Sequence, residues 1–226
     1  MNLDAQKKVL ITGAQGGLGQ QVIHRFLKEG LAVTGVLHSS DKLQHQSASG
    51  AQWISLDLTQ SEDVKTVFSQ RSFDILIHCA GGFRFGKVDE LSDTDLDFLL
   101  DVNLRSSFYL VRELLPAMKK RNFGRIVFIS SASTLNPGAG MAAYLASKAG
   151  LNILTASLTE ELKDFDITVN ALLPSIIDTE ANRRAMPNAD FSSWVTPAQL
   201  TEIIHTLVTP VGNPIRGALI PVKGRV

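Results

Sequence analysis

Short runs of apolar, often β-branched residues alternate with longer stretches whose apolar positions recur every three or four residues, from one end of the chain to the other. Val9 to Thr12 reads as a first strand, and Gly17 to Glu29 as a helix with Val22, Ile23, Phe26 and Leu27 along one face and Gly30 as its stop. Ala32 to Leu37, Trp53 to Leu56, Ile75 to Cys79, Arg125 to Ser130, Thr168 to Leu173 and Gly217 to Val222 supply six further strands. Two long amphipathic helices stand among them, Thr94 to Arg121, with a bend expected at Pro116, and Tyr144 to Asp164. Strands alternating with helices call for a parallel sheet covered on both faces. The expected fold is therefore α/β: a single domain over residues 1–226 with a Rossmann-like, doubly wound parallel sheet of about seven strands.

No repeat or low-complexity segment marks a domain boundary. The one long irregular stretch, Pro174 to Thr196, carries Asp178, Asn182, Arg183, Arg184, Pro187 and Trp194, and such loops usually serve binding, so a substrate loop is expected over about 175–196. Composition narrows the function classes. With 226 residues, 44% of them hydrophobic, the chain can fill one good core. Lys plus Arg and Asp plus Glu both total 22, which leaves no long-range field to draw nucleic acid or a membrane surface, though it leaves room for a local basic patch. Cys79 is the single cysteine, so no intrachain disulfide forms, and a reducing, cytoplasmic setting is expected. No apolar run reaches the roughly 20 residues of a membrane helix, and no metal site is expected.

The first strand runs straight into Thr12-Gly13-Ala14-Gln15-Gly16-Gly17-Leu18-Gly19, which opens the first helix. Glycines there let backbone approach a pyrophosphate closely, and the helix N-terminus favours its charge, so a dinucleotide is the expected ligand, with a plain Gly-rich turn as the alternative. A carboxylate at the end of the second strand would select NAD. Leu37 stands there, followed by the donors His38, Ser39 and Ser40, which favours NADP over NAD. Asp57, past the third strand, suits either the adenine amino group or a helix N-cap.

Tyr144 and Lys148 lie four apart on one predicted helix and so share a face. Ser131 ends the fifth strand, and Asn103 sits inside the preceding long helix. Hydride addition to a carbonyl or imine creates a demand for a proton that a phenol can meet, and a neighbouring ammonium favours the phenolate. In that scheme Lys148 tunes Tyr144 and holds the nicotinamide ribose, Ser131 polarises the substrate oxygen, and Asn103 holds a relay water. Taken singly, Ser131 reads equally as a strand-end hydroxyl and Asn103 as a polar distortion of its helix.

These residues, in this order and spacing over essentially the whole chain, resemble the short-chain dehydrogenase/reductase family. The resemblance identifies Thr12 to Gly19 with the cofactor loop, Asp57-Leu58 with the adenine contact, and Cys79-Ala80-Gly81 with an Asn-Ala-Gly turn in which Cys replaces Asn. It places Asn103, Ser131, Tyr144 and Lys148 as a catalytic tetrad, and Pro174, Ile177 and Thr179 around the nicotinamide amide. It also implies a homodimer or homotetramer paired through the two long helices. The last third, from Leu173-Pro174 through Asn182-Arg183 and Met186-Pro187 to Trp194, is similar to the quinonoid dihydropteridine reductase branch, against which Leu37 and Ser131 are departures. The main expectation is accordingly an NAD(P)H-dependent oxidoreductase acting on a small substrate, with a quinonoid dihydropterin foremost. A reductase of 3-oxoacyl thioesters or small ketones is the alternative, and a non-catalytic dinucleotide sensor comes third. Phe83 and Phe85, after the glycine turn, are either flanks for a flat substrate or loop anchors.

Overall fold

Seven strands form one sheet in a computed structural model of the chain, which describes residues 3–4, 6–38 and 50–225. They are β1 (Lys8–Thr12), β2 (Ala32–Leu37), β3 (Gln52–Ser55), β4 (Ile75–His78), β5 (Gly124–Ile129), β6 (Ile167–Pro174) and β7 (Leu219–Val222). Their order is β3-β2-β1-β4-β5-β6-β7, with every neighbouring pair parallel. The chain winds outward from β1 to β3, then returns past β1 to β4 and winds the other way. That reversal opens a crevice beyond the C-terminal ends of β1 and β4, the place where doubly wound sheets bind ligands.

Period-two side-chain alternation explains why both faces are covered. Leu10, Leu76, Ile126 and Phe128 point into one core layer with Leu110, Leu114, Leu151 and Leu154. Val9, Ile11, Ile75, Ile77 and Val127 point into the other with Val22, Ile23, Phe26, Leu200 and Ile204. The covering helices are α1 (Gly17–Lys28), α2 (Ser61–Phe68), α3 (Asp93–Leu100), α4 (Ser106–Arg121), α5 (Ala142–Glu161), α6 (Glu180–Ala185) and α7 (Pro197–Val208).

Three departures from the sequence reading bear on function. The helix expected over Thr94 to Arg121 is interrupted by a π-helical turn at Asp101–Arg105, whereas Pro116 is carried inside α4. A π turn inserts an extra residue and turns local side chains out of the regular helical stripe, a device common at functional sites. The irregular stretch after Pro174 contains α6 and a short 3-10 turn, Phe191–Ser193. Finally, β4 ends at His78, which leaves Cys79 on the turn beyond it.

Candidate active site

The glycine loop closes over the end of β4. Gly13 has φ of +59°, and a Cβ there would fall 2.7 Å from Ala80 N and 2.8 Å from the Cys79 carbonyl, so only glycine lets β1 and β4 come this close at the crevice floor. Helix α1 starts after Gly16 with no side-chain cap, so no side chain of the cap takes up the first N–H groups of the helix. Gly13, Gln15, Gly16, Leu37, His38, Asp57, Leu58, Cys79, Ala80 and Gly81 line a cavity of about 510 Å³ there. Of the other loop residues, Gly17 packs against the Thr179 side chain and Leu18 is buried in the core. Gly19 lies against the Gly13 carbonyl.

Asp57 is not the cap of α2, a place taken by Gln60. Its Oδ1 accepts from the Thr59 N–H and hydroxyl at 2.9 and 2.8 Å and stands 3.9 Å from His38 Nδ1 at the cavity edge. Burial pushes that carboxyl up, but the Thr59 donors outweigh it and hold it below the usual range. Ser39 and Ser40 lie outside the described residues.

A second cavity of about 250 Å³ adjoins the first across Cys79 and Gly81, and its lining includes Tyr144, Lys148, Pro174 and Ile177 together with Ser130, Phe83 and Asn182. Tyr144 and Lys148 sit on the first two turns of α5. The Lys148 ammonium donates to the Ile129 carbonyl at 2.8 Å, and burial holds its pKa down to about 8, with the Cys79 thiol opposing that shift. The same burial pushes Cys79 up to about 12. Burial also raises the Tyr144 phenol, and the nearby Ser131 hydroxyl works against the rise by favouring the phenolate. Ser131 stands just past β5 as the cap of a 3-10 turn, where its Oγ accepts from Ser133 N at 3.3 Å.

Asn103 is placed by the π turn, and its side chain is fully engaged. Its Nδ2 donates to the Gly82 carbonyl at 3.0 Å and to Ser147 Oγ at 3.1 Å, while Oδ1 accepts from Gly82 N at 2.9 Å. It therefore clamps the turn after β4. A Cβ on Gly81 would stand 2.9 Å from Asn103 Oδ1 and 3.1 Å from Lys148 Nζ, so glycine keeps the space between those groups open. Thr179, expected at the nicotinamide amide, caps α6 by accepting from Asn182 N at 3.2 Å, a bond that uses no donor. Two observations fit this crevice to a dinucleotide: the open cradle at Gly81, and a buried Gln15 Oε1 without a partner on the first cavity's wall.

His78 was missed by the sequence reading, although it lies fully buried opposite Thr12 in the sheet register. Its Nδ1 is 2.8 Å from Thr12 Oγ1, which also accepts from Ala80 N at 3.1 Å. Its Nε2 is 3.3 Å from Ser106 Oγ, which donates to the Val102 carbonyl at 2.8 Å. Every proton is paired only if Thr12 donates to Nδ1 and Nε2–H donates to Ser106, so the ring is neutral. One side chain thus ties the glycine loop to the π turn. Burial, with the Lys148 charge nearby, pushes His78 down to about 3. An unfolded His takes up a proton near pH 6.5, so stability from this site is complete above that value and is lost as pH falls toward 3. Urea titrations near pH 7 and about pH 4.5 should show His78→Asn losing less stability on acidification than the wild type, by about 2–3 kcal/mol.

Residues 7–190 match the family model described as short chain dehydrogenase. The chain is 30% identical to the 3-oxoacyl-[acyl-carrier-protein] reductase FabG of Rickettsia conorii, an alignment covering 96% of this chain and 95% of that protein. It is 27% identical to the acetoacetyl-CoA reductase of Allochromatium vinosum, covering 95% and 96% of the two chains. Among solved structures, ElxO with NADP bound superposes with a TM-score of 0.89 at 26% identity, over 97% of this chain and 98% of that one. A match over most of the chain, with this sheet and crevice behind it, shows that the protein belongs to the short-chain dehydrogenase family and is an NAD(P)-dependent oxidoreductase.

Proposed function

We propose that the chain is a carbonyl reductase of the 3-oxoacyl thioester or small-ketone type, with Tyr144 as proton donor. The observation that carries this is the placing of the Ser131 hydroxyl, on the turn after β5, near enough to Tyr144 on the first turn of α5 to act on its phenol, so that two hydroxyls are available to a carbonyl oxygen. NAD(P)H, once bound in the crevice, supplies the hydride. Tyr144 gives its proton to the substrate oxygen as charge develops there, Ser131 donates a second hydrogen bond, and the Lys148 ammonium favours the phenolate left behind. Lys148 and Asn103 flank Gly81, and Asn103 holds the turn that borders both cavities. The relatives named above act on 3-oxoacyl and acetoacetyl thioesters, and they favour this reading over the quinonoid dihydropterin expected from the last third of the chain. NADP is placed ahead of NAD because Leu37, buried in the core, stands where a selecting carboxylate belongs.

The test is Ser131→Ala on acetoacetyl thioester reduction. The variant should lose about 10²-fold in kcat with thermal stability kept, and turnover of quinonoid dihydropterin unaffected by the change would return the dihydropterin reading to first place. Side-by-side NADPH and NADH affinities check the cofactor preference.

The same reading includes self-association through α4 and α5. A groove of about 1190 Å³ lined by Leu104, Phe108, Leu115, Gly150 and Ile153 runs between them, and Phe108 and Ile153 are 51% and 71% exposed. An exposed apolar groove between two long helices suits an association surface. Phe108→Asp should convert a dimer or tetramer to a smaller species by light scattering on a sizing column.

A further inference from the structure

The turn after β4, Gly81-Gly82-Phe83, would be a mobile flap if glycine content alone decided its behaviour. Three sets of contacts hold it instead. Asn103 clamps both backbone groups of Gly82, at 2.9 and 3.0 Å. Arg84 donates to the Phe83 carbonyl at 2.9 Å, stacks 4.1 Å above the Phe98 ring and pairs with Asp95 at 3.2 Å. Two residues on, Gly86 N donates to the Gly140 carbonyl at 2.9 Å, and the Phe85 ring lies over Gly140 so closely that a Cβ there would be 2.4 Å away. Between these pins the Phe83 ring stands edge to face with Tyr144, centroids 4.9 Å apart and planes at 80°, and lines the smaller cavity while remaining 50% exposed. A large apolar ring held half in solvent beside the proton donor, on backbone fixed from both sides, is a wall of the acceptor's approach. It is not a hydrophobic anchor, because an anchor would be turned into the core.

We propose that Phe83 is a specificity-determining residue, a fixed wall beside the Tyr144 hydroxyl that admits carbonyls on unbranched chains and excludes those carrying a branch next to the carbonyl carbon. The proposal rests on Tyr144 being the group that meets the acceptor. A rigid pocket discriminates one added methyl group by about 10–200-fold, and it does so only where its wall cannot retreat. Phe83 meets that condition through Asn103 and Arg84, and Arg84→Ala should relax the exclusion in the same direction but by less.

The experiment compares kcat/KM for the acetoacetyl and 2-methylacetoacetyl thioesters of N-acetylcysteamine. Wild-type protein should favour the unbranched one, and Phe83→Ala should raise the branched-to-unbranched ratio by about tenfold or more, chiefly through KM. Phe83→Leu should fall between, Phe83→Tyr should keep the wild-type ratio, and NADPH affinity by fluorescence should stay unchanged in all. If neither thioester turns over, the thioester reading fails, and the wall is judged on butan-2-one against 3-methylbutan-2-one. An equal loss on both members of a pair would mean that Phe83 only supports Tyr144, and a wild-type enzyme indifferent to the branch would equally overturn the proposal. Phe83→Leu, which keeps a large apolar group on the turn, covers a poorly folded Phe83→Ala.

Discussion

Replacing Tyr144 by Phe is expected to lower kcat for carbonyl reduction by about 10²–10⁴-fold, the usual range for loss of a positioned general acid, while NADPH affinity changes by no more than about twofold. Only the phenol oxygen is removed, and the ring keeps its edge contact with Phe83. The variant should therefore fold and bind as before. Burial raises the Tyr144 phenol in the protein alone, the direction opposite to that of a base poised at neutral pH, and favours the protonated donor required for reduction. Oxidation of the corresponding alcohol needs the phenolate, so wild-type oxidation should rise with pH over the range where reduction falls. Steady-state kcat in both directions across pH, with the cofactor dissociation constant measured separately, checks both parts. A Phe variant reducing at the wild-type rate would remove Tyr144 from the chemistry.

Much of this site could be read from residue order, and what could not has physical reasons. The glycine loop, Tyr144 and Lys148 were legible because each depends on local geometry: a strand turning into a helix, or two side chains one helical turn apart. The π turn carrying Asn103 was not, since DVNLR has no composition that distinguishes an inserted residue from regular helix, and the Pro116 signal pointed elsewhere. His78 escaped because its two partners, Thr12 and Ser106, are 66 and 28 residues away and meet it only after β1 and β4 pair. Helix α7 carries a sign that periodicity alone does not supply: Thr196 and Gln199 form a capping box with Pro197 in the first turn. The role of Phe83 needed the pins on its loop, because exposure and aromatic character alone do not separate a wall from an anchor.

Lys148→Met should separate stability from function at this site. The ammonium is buried and held at a pKa of about 8 against an ordinary 10.5, so keeping it charged near neutral pH opposes folding by about 3 kcal/mol. Between pH 8 and 10.5 the unfolded chain binds one proton more than the folded chain, so wild-type stability rises with pH through that window. Methionine fills a similar volume without the charge, and its main loss is the hydrogen bond to the Ile129 carbonyl, about 1–3 kcal/mol. The two terms nearly cancel or favour the variant. Its melting temperature near pH 7 should match or exceed the wild type's, and the pH dependence of stability above pH 8 should flatten. Activity should move the other way, with kcat/KM falling by about 10²–10³-fold, because no cation then remains beside Gly81 to favour the phenolate or to hold the ribose. Thermal melts at two pH values together with kcat/KM decide the matter. A variant that melts far below the wild type would make Lys148 a structural residue, whereas one that is stable and inactive would show that the fold carries this buried charge at a cost in stability for the sake of the reaction.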